Sequence, residues 1–198
     1  MDLLLIRHGQ SEADLLDVHE GRADFPLTEL GTRQAKALAD WVAGEYALDR
    51  IYSSTLLRAR QTALILGGAC GLEPVFEAEL MERDNGLLAG IDYKAAERLY
   101  PQAAALPVHR ALYNMEPPLD FRYRAERVLS RILEESHGLK VIAVVSHGGM
   151  INRLCHCLLR LPLESDAVFY TGDTGIHVWR LTEGRRTILF LNKTNHLL

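Results

Sequence analysis

Arg7, His8, Arg58, Glu82 and His147 are the residues of this 198-residue chain whose types and settings can do chemistry together. Leu3-Leu4-Leu5-Ile6 runs straight into Arg7-His8-Gly9-Gln10-Ser11. A short apolar run of this kind reads as a buried strand. The glycine after it lets the backbone turn sharply and approach a ligand closely. Arg7 and His8 then stand at the carboxyl end of a strand, where open α/β sheets place their ligand crevices. Alone, the stretch fits a surface Arg-His equally well. However, Arg58 follows a second strand, Ile51-Tyr52-Ser53-Ser54, and His147 follows a third, Val141-Ile142-Ala143-Val144-Val145. Crossover topology brings such junctions to one sheet edge.

Two guanidiniums and two imidazoles in one cleft make a site for a dianion, most simply a phosphoryl group, because guanidinium forks match phosphate oxygens in pairs. Backbone amides at Gly9 and Gly148 add to it. Neighbouring positive charge lowers a histidine pKa, so His8 keeps a free lone pair. A neutral imidazole facing a bound phosphorus is a nucleophile. Glu82, in the charged turn Leu80-Met81-Glu82-Arg83-Asp84-Asn85-Gly86, supplies a carboxylic acid that can protonate a leaving oxygen and then activate water. Glu79 and Asp84 lie close by as rivals for that role. Gln10, Ser11, Asp14, Arg22 and Gly148 are candidate substrate-binding residues, ordinary loop polarity being the alternative for the first four. Among the remaining histidines only His19 is near enough to the first motif to be of interest. Tyr93, Tyr100, His109, Tyr113 and Phe121 border a variable excursion, as a lid over a leaving group or as cover for a core edge.

The elements that must hold these residues alternate. Thr28 caps a helix whose Ala35, Leu38, Ala39 and Val42 face inward. Thr55 is expected to cap the helix that carries Arg58. Pro74 to Glu77 reads as a short strand, and Asp92 caps a short helix to about Tyr100. Asp120 is expected to cap an amphipathic helix with Phe121, Ala125, Val128, Leu129, Ile132 and Leu133 as its apolar stripe, stopped by Gly138. The continuous apolar run at 141–145 implies burial on both faces, as in a central parallel strand. Gly175 to Leu181 and Thr187 to Leu191 form a final pair around Glu183-Gly184. The pattern predicts a three-layer α/β/α sandwich with a mostly parallel central sheet. A single domain spans residues 1–198, with an irregular or short-helical excursion at about 91–120.

Composition narrows the function. The hydrophobic share is 48% and the charged share 24%, ordinary for a globular protein. A net charge of −4 excludes a broad polyanion-binding surface, so basic residues must act locally. Three cysteines cannot all pair within the chain, which points to a reducing compartment, and a cytoplasmic location is expected. Cys155 and Cys157 diverge on a helix, so Cys155-His156-Cys157 is read as core rather than as a metal site. The run from Leu3 to Ile6 is too short for a signal peptide, and no run approaches the ~20 residues that span a membrane. The expected partner is a small-molecule phosphomonoester, with neither nucleic acid nor a membrane; a homodimer is compatible with the sequence.

These residues also carry a family resemblance. Arg7-His8-Gly9-Gln10-Ser11 resembles the Arg-His-Gly signature of the histidine phosphatase superfamily, the phosphoglycerate mutase-like proteins. The likeness continues at Leu27-Thr28-x-x-Gly31-x-x-Gln34-Ala35, at Ser53-Ser54-x-x-x-Arg58-Ala59-x-Gln61-Thr62-Ala63, at Leu80-x-Glu82-x-x-x-Gly86-x-x-x-Gly90 and at Ser146-His147-Gly148-Gly149. The five motifs are specific together where each alone is not. The resemblance implies a phosphohistidine intermediate on His8, with Arg7, Arg58 and His147 holding the phosphoryl group, Glu82 as proton donor, and no metal or cofactor. Two departures bear on the substrate. Asp14 stands where family members often carry Asn, and Pro118-Leu119-Asp120 where many carry Gly-Glu-Ser. The chain is shorter after the acid loop than the glycolytic mutases, which favours a phosphatase of the cobalamin-pathway or broad-specificity type. Hydrolysis of a phosphomonoester is the leading expectation. A phosphomutase and a non-catalytic phosphate-binding protein are the alternatives.

Overall fold

The computed structural model describes residues 1–101 and 106–197. Strand β1 (Asp2–Arg7) is built from four apolar side chains with no solvent exposure. Its neighbours in the sheet are β2 (Arg50–Ser54), β3 (Val75–Glu77), β4 (Val141–Ser146), β5 (Ile176–Thr182) and β6 (Arg185–Lys193). The six strands lie in the order β3-β2-β4-β1-β5-β6. The first four in that order pair in parallel, and β5 and β6 close the sheet as an antiparallel hairpin. The expectation of a mostly parallel sheet holds, with β6 extending beyond the 187–191 read from the sequence.

Period-two alternation along β1 splits the core between two faces. Leu4 and Ile6 pack with Leu38, Val42, Ala59 and Leu66 of α2 (Glu29–Glu45) and α3 (Leu57–Cys70). Leu3 and Leu5 pack on the other side with Val128, Ile132, Ile151 and Leu154 of α5 (Pro118–Glu135) and α6 (Gly148–Leu159), over the buried Trp179. Each fully buried aliphatic side chain contributes about 1.5–3 kcal/mol. Register then does the positioning: Arg7 lies opposite Ser146, and Ser53 opposite Val145. The chain turns that carry His8, Arg58 and His147 therefore leave one edge side by side.

Local chemistry explains the boundaries. Thr28 caps α2 as expected, its hydroxyl accepting from Gly31 N–H at 2.9 Å. Asp92 likewise caps α4 (Tyr93–Leu99) through Ala95 N–H. Thr55 does not cap α3. Leu56 is the N-cap, and the Leu57 amide donates to Asp24 Oδ1, 2.6 Å away in a separate loop. Asp120 does not open α5 either. Pro117 is the N-cap and Pro118 the first residue, a position that suits the fixed φ and missing donor of proline. A five-residue helix, α1 (Glu12–Leu16), was not read from the sequence; Ser11 and Asp14 form its capping box. In the excursion, 106–117 form turns, and residues 102–105 lie outside the described residues. At the end of the chain, Asn195–Leu197 make a short turn in which His196 meets Thr174 at 2.9 Å; Leu198 also lies outside the described residues. Among the described residues, no helix is long and apolar enough to cross a membrane.

Candidate active site

His8 and Arg58 define each other. Arg58 is fully buried, and its Nε donates to His8 Nε2 at 3.2 Å. A guanidinium can only donate, so Nε2 is the unprotonated nitrogen. His8 Nδ1 then carries the hydrogen and donates to Gly9 O at 2.7 Å. Burial first, then the charges of Arg58 and Arg7, hold the imidazole well below the usual histidine pKa. The ring is therefore neutral at pH 7, with its lone pair turned toward Arg58 Nε. His147 sits beside it, ring centroids 5.1 Å apart, with Nε2 2.8 Å from Ser54 Oγ. Burial is again the first cause that lowers its pKa, followed by Arg58. Gly9 has room for no side chain, since a Cβ there would lie 2.5 Å from Gly31 O.

The rest of the Arg58 fork is fixed. Nη1 donates to Ala23 O and Nη2 to Gly21 O, both at 2.9 Å. Arg7 Nη1 donates to Thr171 O at 2.9 Å, and Nη2 lies 3.4 Å from Asp173 and 3.9 Å from Asp14. Thr171 is in turn held by His177, 2.8 Å from its hydroxyl. A carboxylate closes this group. Glu20 lies 3.5 Å from Arg58 Nε and 3.9 Å from His8 Nε2, and accepts from the Ser11 hydroxyl. Burial raises the Glu20 pKa, against the opposing pull of Arg58 and Ser11.

Glu82 approaches from the other side. Its Oε2 accepts from Gly149 N–H and its Oε1 from Arg83 N–H, both at 2.8 Å. A Cβ on Gly149 would stand 2.5 Å from Oε1, so glycine there makes the approach possible. Arg124, buried on α5, pins the loop by donating to the carbonyls of Glu79, Met81 and Glu82. Its other donors grip the Glu116 carboxylate at 2.7 and 2.8 Å. That pair holds Glu116 below the usual carboxylate pKa, although burial alone pushes it up.

A polarised imidazole flanked by arginines, a second imidazole and the Glu82 carboxyl group in the adjoining loop is an arrangement for phosphoryl transfer. The model of the histidine phosphatase superfamily, branch 1, matches residues 3–194. The chain belongs to the histidine phosphatase superfamily. Phosphoserine phosphatase 1 of Hydrogenobacter thermophilus is 31% identical over 198 residues, covering 98% of this chain and 93% of that one. A 2,3-bisphosphoglycerate-dependent phosphoglycerate mutase of Rhizobium etli is 31% identical over 206 residues, covering 99% and 97%. Among solved structures, a mycobacterial glucosyl-3-phosphoglycerate phosphatase complexed with VO3 superposes with a TM-score of 0.85 at 28% identity, covering 96% of this chain and 98% of that one.

As a histidine phosphatase, the chain brings Arg7, His8, Arg58, His147 and Ser11 together. Gly148 opens α6 beside them, and Glu82 reaches the same helix start. Three other candidates are turned to local tasks. The Gln10 side-chain amide oxygen Oε1 accepts from Thr28 Oγ1 at 2.8 Å. Asp14 caps α1 through Ser11 N–H at 2.8 Å. Arg22 leans over the acid loop, 3.4 Å from Asp84 and 3.7 Å from Glu116. Of the aromatic group, Phe121 is core, beneath Arg124. Tyr93 meets His19 edge-on at 4.3 Å, and Tyr100 meets Tyr113 at 5.0 Å. Glu20, Asp173 and Arg124 were missed. Arg124 did have a signal, a charge on the apolar stripe three residues after Phe121. Glu20 and Asp173 sit in loops without periodicity. Cys155 and Cys157 are buried, and burial pushes both thiols up to about 12.

Proposed function

We propose that this chain is a metal-independent phosphomonoesterase, carried by a single domain over residues 1–198. His8 Nε2 attacks the phosphorus of a bound monoester and the P–O bond to the leaving alcohol breaks. Glu82 gives its proton to that oxygen. Water then attacks the phosphohistidine, Glu82 takes up the proton, and inorganic phosphate leaves. Arg7, Arg58 and His147 hold the phosphoryl oxygens, with Ser11 and the Gly148 amide beside them. The observation that supports this reading is the tautomer of His8: its only unprotonated nitrogen, Nε2, is the one that the buried Arg58 meets. Relatives named for phosphoserine and glucosyl-3-phosphoglycerate hydrolysis support it. The phosphoglycerate mutase relative supports transfer to a second hydroxyl as the alternative. Phosphate release from phenyl phosphate in the presence of chelator tests the reading. Isomerisation of a phosphorylated diol without phosphate release would favour the mutase. The small-molecule substrate and the cytoplasmic location are further parts of the proposal, supported by the net charge of −4 and the three free cysteines.

Glu20 gives this site a pH dependence. When ionised, its carboxylate competes with a phosphoryl dianion for Arg58; when protonated, it donates to one. Because burial raises its pKa, the ionisation falls above the ordinary carboxylate value of about 4.3. As pH rises through it, KM rises. In Glu20→Gln that rise is absent, and the ratio of wild-type to variant KM grows to about tenfold at the alkaline end. Ionisation of the substrate cancels in the ratio. A ratio constant with pH would remove Glu20 from the phosphate pocket.

A further inference from the structure

The strap Thr171-Gly172-Asp173-Thr174-Gly175 leads into β5 and lies against both Arg7 and His8. Arg7 N–H donates to Gly175 O and Thr174 N–H to His8 O, both at 3.1 Å. Arg7 Nη1 donates to Thr171 O, and Nη2 stands 3.4 Å from Asp173. The strap therefore fixes the backbone of His8 and the fork of the neighbouring arginine at once.

Thr174 takes its place there in an unfavourable conformation. It is fully buried, with φ at 51°. A branched Cβ makes that region costly, and a residue persists in it only where its surroundings hold it. The hold comes from behind the strap. The Thr174 hydroxyl has one hydrogen and donates it to Asp173 O at 2.8 Å, so it accepts from His196 Nε2, 2.9 Å away. Burial lowers the pKa of His196, so the ring is neutral at pH 7 and its single N–H goes to Thr174. The pairing recurs at the other end of the strap, where the buried Thr171 hydroxyl and His177 Nε2 are 2.8 Å apart. Between the two, Gly172 N–H donates to Asn192 Oδ1 at 2.8 Å. Relaxed to a negative φ, Thr174 would turn the Asp173–Thr174 peptide against its neighbours. That would take its amide from His8 O and Asp173 from Arg7.

We propose that His196 is a positioning residue for phosphoryl transfer: by holding the Thr174 hydroxyl it keeps a strained residue in place, and through the Thr174 amide it sets the backbone of the nucleophile. This rests on the phosphatase reading. Among the described residues, His196 makes no hydrogen bond to Arg7, His8, Arg58, Glu82 or His147, so its effect reaches the reacting atoms through Thr174. His8 Nδ1 is bonded to Gly9 O, so the ring moves with the backbone that Thr174 holds. A misplacement of about 1 Å costs on the order of 10²-fold in rate.

The test is kcat/KM for phenyl phosphate, which reports the steps up to phosphorylation of His8. His196→Phe keeps a ring and loses the donor, and is expected to lose about tenfold or more. His196→Gln, whose Nε2 can donate to Thr174, should stay within about threefold of the wild type. Glycine takes a positive φ freely, so in a Thr174→Gly background His196→Phe should cost less than about threefold, whatever that background's own activity. No loss in His196→Phe, an equal loss in His196→Gln, or an undiminished loss in the Thr174→Gly background would overturn the positioning role and leave the phosphatase reading intact. No hydrolysis by the wild type would defeat the phosphatase reading and this proposal with it. Should melting show His196→Phe to be misfolded, Thr174→Val and Thr174→Ser carry the comparison. The first removes the hydroxyl at unchanged shape and should lose about tenfold more than the second, which keeps it. Equal values for the two would overturn the role.

Discussion

Replacing His8 by alanine lowers phosphate release from phenyl phosphate by at least about 10⁴-fold, since removal of a covalent nucleophile costs an enzyme that much or more. The size follows from the isolation of the group. His8 Nε2 is the lone pair that Arg58 orients, and Nδ1 is committed to Gly9 O. The neighbouring imidazole, His147, has its Nε2 engaged by Ser54 at 2.8 Å. Because the His8 pKa is lowered by burial and then by Arg58 and Arg7, the neutral form persists well below pH 6.5. Activity should therefore not fall off through an imidazole titration near neutrality. Steady-state assays with chelator check the prediction. A His8→Ala enzyme retaining clearly more than about 0.01% of wild-type kcat would contradict it, and His8→Asn guards against an effect of the cavity.

Glu82→Gln is expected to separate substrates by their leaving groups. General acid catalysis contributes roughly 10²–10⁴-fold, and an amide cannot deliver the proton. An alkyl phosphate, whose alkoxide leaves poorly, should lose about 10³-fold in kcat/KM. A nitrophenyl phosphate leaves without help and should lose about tenfold or less in the same quantity. The two amides that hold Glu82, from Gly149 and Arg83, can hold a glutamine oxygen only singly, so some loss of positioning is included. Loss by an equal factor for both substrates would mean that Glu82 serves the fold of the loop and does not move a proton.

Much of this site was legible because its parts lie where strands end. The apolar runs 3–6 and 141–145 are continuous, so burial of both strands and the shared edge of His8 and His147 followed from pattern and topology. The helix starts were less legible. Asp24 reaches the first turn of α3 from another loop, and no local residue type reveals that. Pro117-Pro118 opened α5 ahead of the acid that a capping rule selects. The carboxylates Glu20 and Asp173 escaped because neutralisation of an arginine is a matter of distance, not of spacing along the chain. The family signature directed attention to Gln10-Ser11 and to Asp14, which stands where family members often carry Asn. In this protein Asp14 serves the short helix α1, and a glutamate six residues further along stands against the nucleophile.

The most direct test is to find the phosphoryl group itself. Enzyme mixed with excess phenyl phosphate and quenched within milliseconds in alkali, where phosphohistidine survives, should carry one phosphoryl group, and peptide mapping should place it on His8. In Glu82→Gln with a nitrophenyl phosphate, which leaves without help, only the second half-reaction is strongly slowed, so the phosphorylated form should accumulate further. Turnover with no phosphoryl group on His8, at times shorter than one catalytic cycle, would contradict the account: phosphate would then pass directly to water, and the orientation of His8 by Arg58 would have another purpose.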